Sequence, residues 1–132
     1  MFTKSEGEAQ MDCQIGYVIV GVTSLEAGVA FYRDVMGFKL IHSEPQFHFA
    51  AFQVGALQFS LAASDGGDDS VHGSGNRNTG IGFQVVDVDA AHEELAAKGV
   101  NFTMAPSKQP WGGYMAMFAD PDGNIFYLDQ AR

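Results

Sequence analysis

Apolar residues along the chain fall into short runs separated by polar or glycine-rich turns, a pattern that predicts short strands with few helices. The first run predicts a strand over 15–22. Apolar residues at helical spacing then predict a helix over about 25–36 that ends at Gly37. Either Thr23 or Ser24 is expected to cap this helix. Further apolar runs predict strands over 38–43, 47–54 and 57–63.

The second half of the chain repeats this order of elements after a polar, glycine-rich segment. Its pattern predicts a strand over 81–86 and a helix over about 88–98, which Gly99 ends. Three more strands are predicted over 100–105, 113–119 and 124–129. Because Gly37 and Gly99 are 62 residues apart (99 − 37), the chain is interpreted as two βαβββ modules of similar length.

Length and composition support a single α+β domain. The chain has 132 residues, of which 46% are hydrophobic, and this is enough to form one core. The expected organisation is a polar N-terminal arm over 1–12 and one domain over 13–132. Within that domain we expect module one over 13–63, a linker over 64–79 and module two over 80–130.

Charge and cysteine content exclude several classes of partner. The formal net charge is −9, so the chain repels nucleic acid and anionic membranes. An acidic surface can favour cationic ligands, but solubility alone explains this charge more simply. Cys13 is the single cysteine, which excludes an intrachain disulfide and a multi-cysteine zinc site. The first residues lack the apolar core of a signal peptide, and no apolar run is long enough to cross a bilayer, so a cytoplasmic protein is expected.

Three segments carry a resemblance to a known family. FYRDVMGFKL (31–40), GFQVVDVDAAHEELAAKGVNF (82–102) and PWGGYMAMFADPDGNIFYLDQ (110–130) resemble the vicinal oxygen chelate superfamily over about residues 14–130. This superfamily includes glyoxalase I, extradiol dioxygenases, fosfomycin-resistance enzymes and bleomycin-binding proteins. The resemblance implies paired βαβββ modules that form a cupped, mostly antiparallel sheet around a cavity, in a homodimer.

The positions that hold the family's metal carry unsuitable residues in this chain. Matched to the family's motif, these positions fall on Tyr17, Ser60, Gly80 and Tyr127. Gly80 offers no side chain, a serine hydroxyl is a weak neutral donor, and a neutral phenol would have to lose its proton to bind a metal. We therefore expect neither a metal nor another cofactor. The four histidines, His42, His48, His72 and His92, are interpreted as ordinary surface or edge residues.

Strand alternation predicts which side chains line the cavity. In module one, a two-residue turn at Gly55-Ala56 pairs Phe52 with Phe59 on the helix-facing side. In module two, a turn over 120–123 is expected to place Met115, Met117, Phe126 and Leu128 on that side. The opposite, cavity-facing side then carries Tyr17, Phe49, Gln53, Gln58, Ser60, Gln84, Tyr114, Phe118, Tyr127 and Asp129. Trp111 precedes a cavity strand and is a candidate stacking lid over a ligand.

These features favour a metal-free protein that binds a small, apolar or aromatic and possibly cationic organic molecule. An alternative structural interpretation is that the aromatic residues fill the cup as a second core. Two alternative functions also stay open. One is an enzyme that uses Tyr17 or Tyr127 as a general acid or base. The other is a glyoxalase-like lyase or dioxygenase-related enzyme with relocated metal ligands.

Overall fold

The computed structural model describes residues 10–64 and 77–131. Most of the predicted N-terminal arm, most of the predicted linker, and His72 lie outside the described residues. The first half contains β1 (Tyr17–Val22), α1 (Leu25–Ala30), a π-helical turn (Phe31–Val35), β2 (Lys39–Glu44), a 3₁₀ turn (Pro45–Phe47), β3 (Phe49–Val54) and β4 (Leu57–Ala63). The second half contains β5 (Asn78–Val85), α2 (Val88–Ala97), β6 (Asn101–Lys108), β7 (Tyr114–Ala119) and β8 (Ile125–Gln130).

These strands form two four-stranded sheets with the same topology. Sheet A has the order β1-β4-β3-β2, and sheet B has the order β5-β8-β7-β6. In each sheet the first strand pairs in parallel with the last, and the other pairings are antiparallel. The predicted α+β fold of two βαβββ modules is confirmed, as two separate sheets that do not close into a barrel. Within 10–64 and 77–131, no helix combines the length and apolar character needed to cross a bilayer.

The start of α1 distinguishes the two candidate capping residues. Ser24 is the N-cap, because its side chain accepts a hydrogen bond from the backbone N–H of Ala27 at 3.1 Å. Thr23 instead donates its hydroxyl to a carboxylate oxygen of Asp122 in the other module, at 2.6 Å. The α-helical part is shorter than predicted, since it changes to a π-helical turn at Phe31.

The two modules share one core between the helix-facing sides of their sheets. Aromatic rings from both sheets meet there: the centroids of Phe59 and Phe83 are 5.8 Å apart, and those of Phe59 and Phe126 are 6.1 Å apart. Phe38, which follows the π-helical turn, lies 5.3 Å from Phe83. Since the helix-facing sides pack against each other, the opposite side of each sheet, called here its open face, points away from this core.

A turn of module two fastens the modules together, and we call residues 120–124 the clasp. Asp120 is buried, and one of its carboxylate oxygens accepts a hydrogen bond from the Tyr32 hydroxyl at 2.7 Å. The side-chain amide of Asn124 donates to the Gly21 carbonyl at 2.8 Å. With the Thr23 contact to Asp122, the clasp therefore joins the β7–β8 turn to the end of β1, the β1–α1 connection and the π-helical turn.

Candidate functional site

The open face of sheet A combines exposed apolar side chains with amides, one buried hydroxyl and, on β2, the charged residues Lys39 and Glu44. Tyr17 and Ile19 of β1 are 60% and 49% exposed. In the parallel register they stand beside Gln58 and Ser60 of β4, and the Gln58 amide donates to the Ser60 hydroxyl at 3.1 Å. Ser60 is fully buried although it lies outside the shared core. Two further predicted residues on this face are Phe49 and Gln53 of β3.

The open face of sheet B carries three of the predicted residues, Gln84, Tyr127 and Asp129, on neighbouring strands. Gln84 is exposed, and the other two are half-buried. The Tyr127 hydroxyl accepts a hydrogen bond from the side-chain amide of Asn78 at 3.0 Å. This face is therefore a mixture of an aromatic ring, amides and a carboxylate, with Asp129 as its acidic group.

The prediction that Tyr114 and Phe118 belong to this face is wrong, because the clasp has five residues rather than four. Asn124 lies inside the turn, where its carbonyl accepts the backbone N–H of Asp120, so Ala119 pairs with Ile125. This shifts β7 by one position. Phe118 is consequently fully buried beside Phe126 in the core.

The same shift turns Tyr114 towards α2 and moves Met115 and Met117 to the opposite side of the sheet. The Tyr114 hydroxyl donates to Asp89 on that helix at 2.6 Å, and this hydrogen bond raises the pKa of the phenol. Met115 pairs with Asp129 and Met117 with Tyr127, so both methionines lie on the open face rather than on the predicted helix-facing side. The sequence interpretation thus missed two flexible apolar residues at the centre of this face.

Loop aromatics flank both sheets. Trp111, the predicted lid, lies in the connection between β6 and β7 and is 65% exposed. Phe47 occupies the corresponding connection between β2 and β3 in module one and is 72% exposed. Sequence reasoning included Phe47 in a strand. The signal that could have identified it is its position in the same connection as Trp111 of the repeat.

The histidines are spread over both modules. His42 is exposed on β2 with its ring 5.9 Å from that of Phe49. His92 on α2 is half-buried and packs edge-on against Phe102, with ring centroids 4.5 Å apart. His48 adopts a left-handed backbone conformation, with φ of 55°, at the end of the 3₁₀ turn. Among the described residues, no group of three or more His, Cys, Asp or Glu side chains could hold a metal ion.

The chain matches a known protein family over most of its length. A family model described as the Glyoxalase/Bleomycin resistance protein/Dioxygenase superfamily matches residues 14–128. The chain belongs to this superfamily. The family expected from the three sequence segments is thereby confirmed.

Similar members of the superfamily include both a binding protein and an enzyme. The chain is similar to a solved member from Sphaerobacter thermophilus DSM 20745, with 28% identity and a TM-score of 0.78, covering 92% of this chain and 100% of that one. It is also similar to TnmS3, an antibiotic binding protein from Streptomyces sp. CB03234, with 26% identity, a TM-score of 0.76, and coverage of 94% and 100%. A lactoylglutathione lyase of Haemophilus influenzae is 29% identical over 119 residues, covering 83% of this chain and 87% of that protein.

The four positions that the superfamily's motif assigns to metal ligands do not fit a divalent ion here. Ser60 and Tyr127 already bond to neighbouring amides through their hydroxyl oxygens. Gly80, which has a positive φ of 72°, has no side chain that could bind a metal ion. Tyr17 offers a neutral phenol, which would have to lose its proton to bind a metal ion. Neutral hydroxyls and a glycine cannot replace the imidazoles and carboxylates that hold zinc and similar ions.

Proposed function

We propose that this superfamily member binds a small organic molecule at the open faces of its sheets, without a metal ion. The observation that carries the proposal is the residue set at the motif's metal positions: Tyr17, Ser60, Gly80 and Tyr127 supply aromatic surface and hydroxyls instead of ionic ligands. The similarity to TnmS3, an antibiotic binding protein, supports a binding role. A binding protein needs a complementary surface and no reacting group.

The chemistry of the faces favours a flat ligand that carries hydrogen-bonding groups. Rings of Tyr17, Phe49, Tyr127 and the lid Trp111 provide stacking surfaces. Glutamine amides at positions 53, 58 and 84 supply donors and acceptors. Asp129 is the carboxylate of sheet B's open face, and with the net charge of −9 it favours a ligand with a positive charge.

We also propose that two copies of the chain complete the ligand cavity. Within one chain the helix-facing sides pack together, so the open faces cannot enclose a common space. Tyr17 and Ile19, at 60% and 49% exposure, leave an apolar surface on sheet A that a second copy would cover. A homodimer in which module one of one copy faces module two of the other would place both open faces around a single ligand.

Light scattering after size-exclusion chromatography tests whether the chain forms the proposed homodimer. The wild-type chain should elute as a dimer, and Tyr17→Glu should shift it towards monomer because a carboxylate would be buried at the contact. Ala96, which is exposed on α2 and lies away from both open faces, provides the matched control Ala96→Glu, which should remain dimeric. A wild-type monomer at all concentrations would contradict this part of the proposal.

Calorimetric titration with planar aromatic compounds of positive, zero and negative charge tests ligand binding. We expect saturable binding, strongest for the cations. Tyr127→Ala should weaken binding about tenfold by removing a stacking surface. Tyr114→Ala, on the opposite face of the same sheet, should leave affinity unchanged. Absence of heat across the whole panel, or equal effects of the two tyrosine variants, would contradict the proposed site.

Lyase activity is a second candidate, because the Haemophilus influenzae lactoylglutathione lyase is 29% identical over 119 residues. It would require metal ligands other than those of the motif, or acid–base chemistry by Tyr17 or Tyr127. The hemithioacetal of methylglyoxal and glutathione, supplied with Ni²⁺ or Zn²⁺, is the substrate for this test. Turnover lost in Tyr17→Phe or Tyr127→Phe would favour the enzyme over the binding protein.

A further inference from the structure

An apolar groove lies between the modules, lined mainly by the helix-facing sides of both sheets and bordered by the edge strand β5. Its volume is about 460 Å³, which is within the usual range for small-molecule sites. Residues from β1, β4, β5, β8, α2 and the segment after the π-helical turn contribute to its lining. The groove is therefore built by both modules of one chain, and it shares Gln84 of β5 with the ligand site proposed above.

The groove exposes part of the shared core. Phe38, Phe59 and Phe83 lie in its wall, with ring centroids 5.3 to 5.8 Å apart. Phe59 is buried, but Phe38 and Phe83 are only half-buried, as are Val18 and Ile81 beside them. A cluster of aromatic and β-branched side chains that is incompletely covered gains free energy when an apolar group removes it from water.

One charged side chain gives this apolar surface a chemical preference. Among the described residues that line the groove, Glu94 of α2 is the only one with a charged side chain. Its carboxylate forms an ion pair with Lys98 at 3.5 Å, but Lys98 does not line the groove and the Glu94 side chain is 69% exposed, so a cationic head can also reach this carboxylate. A rim carboxylate above an apolar floor is complementary to a molecule with an apolar body and a cationic head.

We propose that this groove is a second binding site, which takes an amphipathic monocation. The apolar body of the ligand lies against Phe38, Phe59 and Phe83, and its cationic head lies beside Glu94. Ala91, one turn before Glu94 on the same face of α2, lines the groove between the two parts.

Three probes with the same ten-carbon chain test the preference: decyltrimethylammonium, decanol and decyl sulfate, each titrated below its micelle concentration. At low ionic strength the cation should bind most tightly and the sulfate most weakly. Glu94→Gln should reduce the advantage of the cation about two- to fivefold, because the carboxylate is solvent-exposed. Equal affinities for the three headgroups in wild type, or an unchanged preference in Glu94→Gln, would overturn the charge assignment.

A filling variant tests the location. Ala91→Phe places a ring in the groove and should weaken binding of all three probes at least about tenfold. Ala96→Phe, at an exposed position of the same helix, is the control and should bind as wild type does. Far-ultraviolet circular dichroism establishes that both variants are folded. Ala91→Phe should leave the affinity for the planar aromatic compounds unchanged, which separates this site from the open faces. Undiminished binding to a folded Ala91→Phe would overturn the proposal.

Discussion

Replacing Tyr32 by phenylalanine removes one hydroxyl from the clasp and leaves the ring in place. In the native chain this hydroxyl donates to the buried carboxylate of Asp120 at 2.7 Å. Asp120 would keep its other donors, the backbone N–H groups of Asp122 and Asn124 and the Asn124 amide, each at 2.9 Å. The carboxylate is thus not left unpaired. The loss should be that of one charge-assisted hydrogen bond, about 1.5–3 kcal/mol in the free energy of unfolding.

For a chain of this length, that loss corresponds to a decrease in Tm of roughly 5–15 °C. Urea unfolding at a fixed protein concentration measures the free energy directly, and the fixed concentration removes any contribution from association. Tyr114→Phe is the matched control, since its hydroxyl also donates to an aspartate, at 2.6 Å, but in an exposed setting. It should destabilise the chain far less. Equal losses in the two variants would refute the view that burial makes the clasp bond important.

Three other consequences are measurable by the same unfolding assay. Burial and the neighbouring Asp120 raise the pKa of Tyr32, so the stability contributed by its protonated form should be complete below about pH 10 and lost above it, a loss that Tyr32→Phe should reduce. Ser24→Ala, which removes the N-cap of α1, should cost about 1 kcal/mol, whereas an unchanged stability would contradict the capping geometry. Phe118→Ala should lower the free energy of unfolding by about 3–5 kcal/mol, and Met117→Ala should lower it by about 1 kcal/mol or less. The reverse order would support the β7 register expected from the sequence.

Much of module one could be predicted from the sequence because its turns are short and chemically specific. Gly55, with a positive φ of 58°, fixes a two-residue hairpin, and the predicted pairing of Phe52 with Phe59 is confirmed. In module two the pairing of β7 with β8 was predicted wrongly because of the clasp. Asn124 has the polarity of a turn residue but follows a complete four-residue turn pattern, so only its hydrogen bonds place it inside the turn. One additional turn residue exchanged the faces of β7.

The packing of one module on the other could not be read from periodicity. Alternation assigns Phe59 and Phe83 to the helix-facing side of their own sheets, but it does not say that these sides meet each other. That contact, with ring centroids 5.8 Å apart, depends on residues far apart in the chain. It also decides that the open faces point outward, which is why the ligand site and the question of a second copy are linked.

Ligand binding at the open faces is proposed to need no divalent ion. The most direct measurement is the titration of one aromatic cation, selected from the panel, into protein treated with EDTA and into the same protein supplied with Ni²⁺ or Zn²⁺. We expect the same affinity and stoichiometry in both samples, since the residues at positions 17, 60, 80 and 127 offer no ionic ligand. A stoichiometric ion that must be present before the ligand binds would contradict the claim.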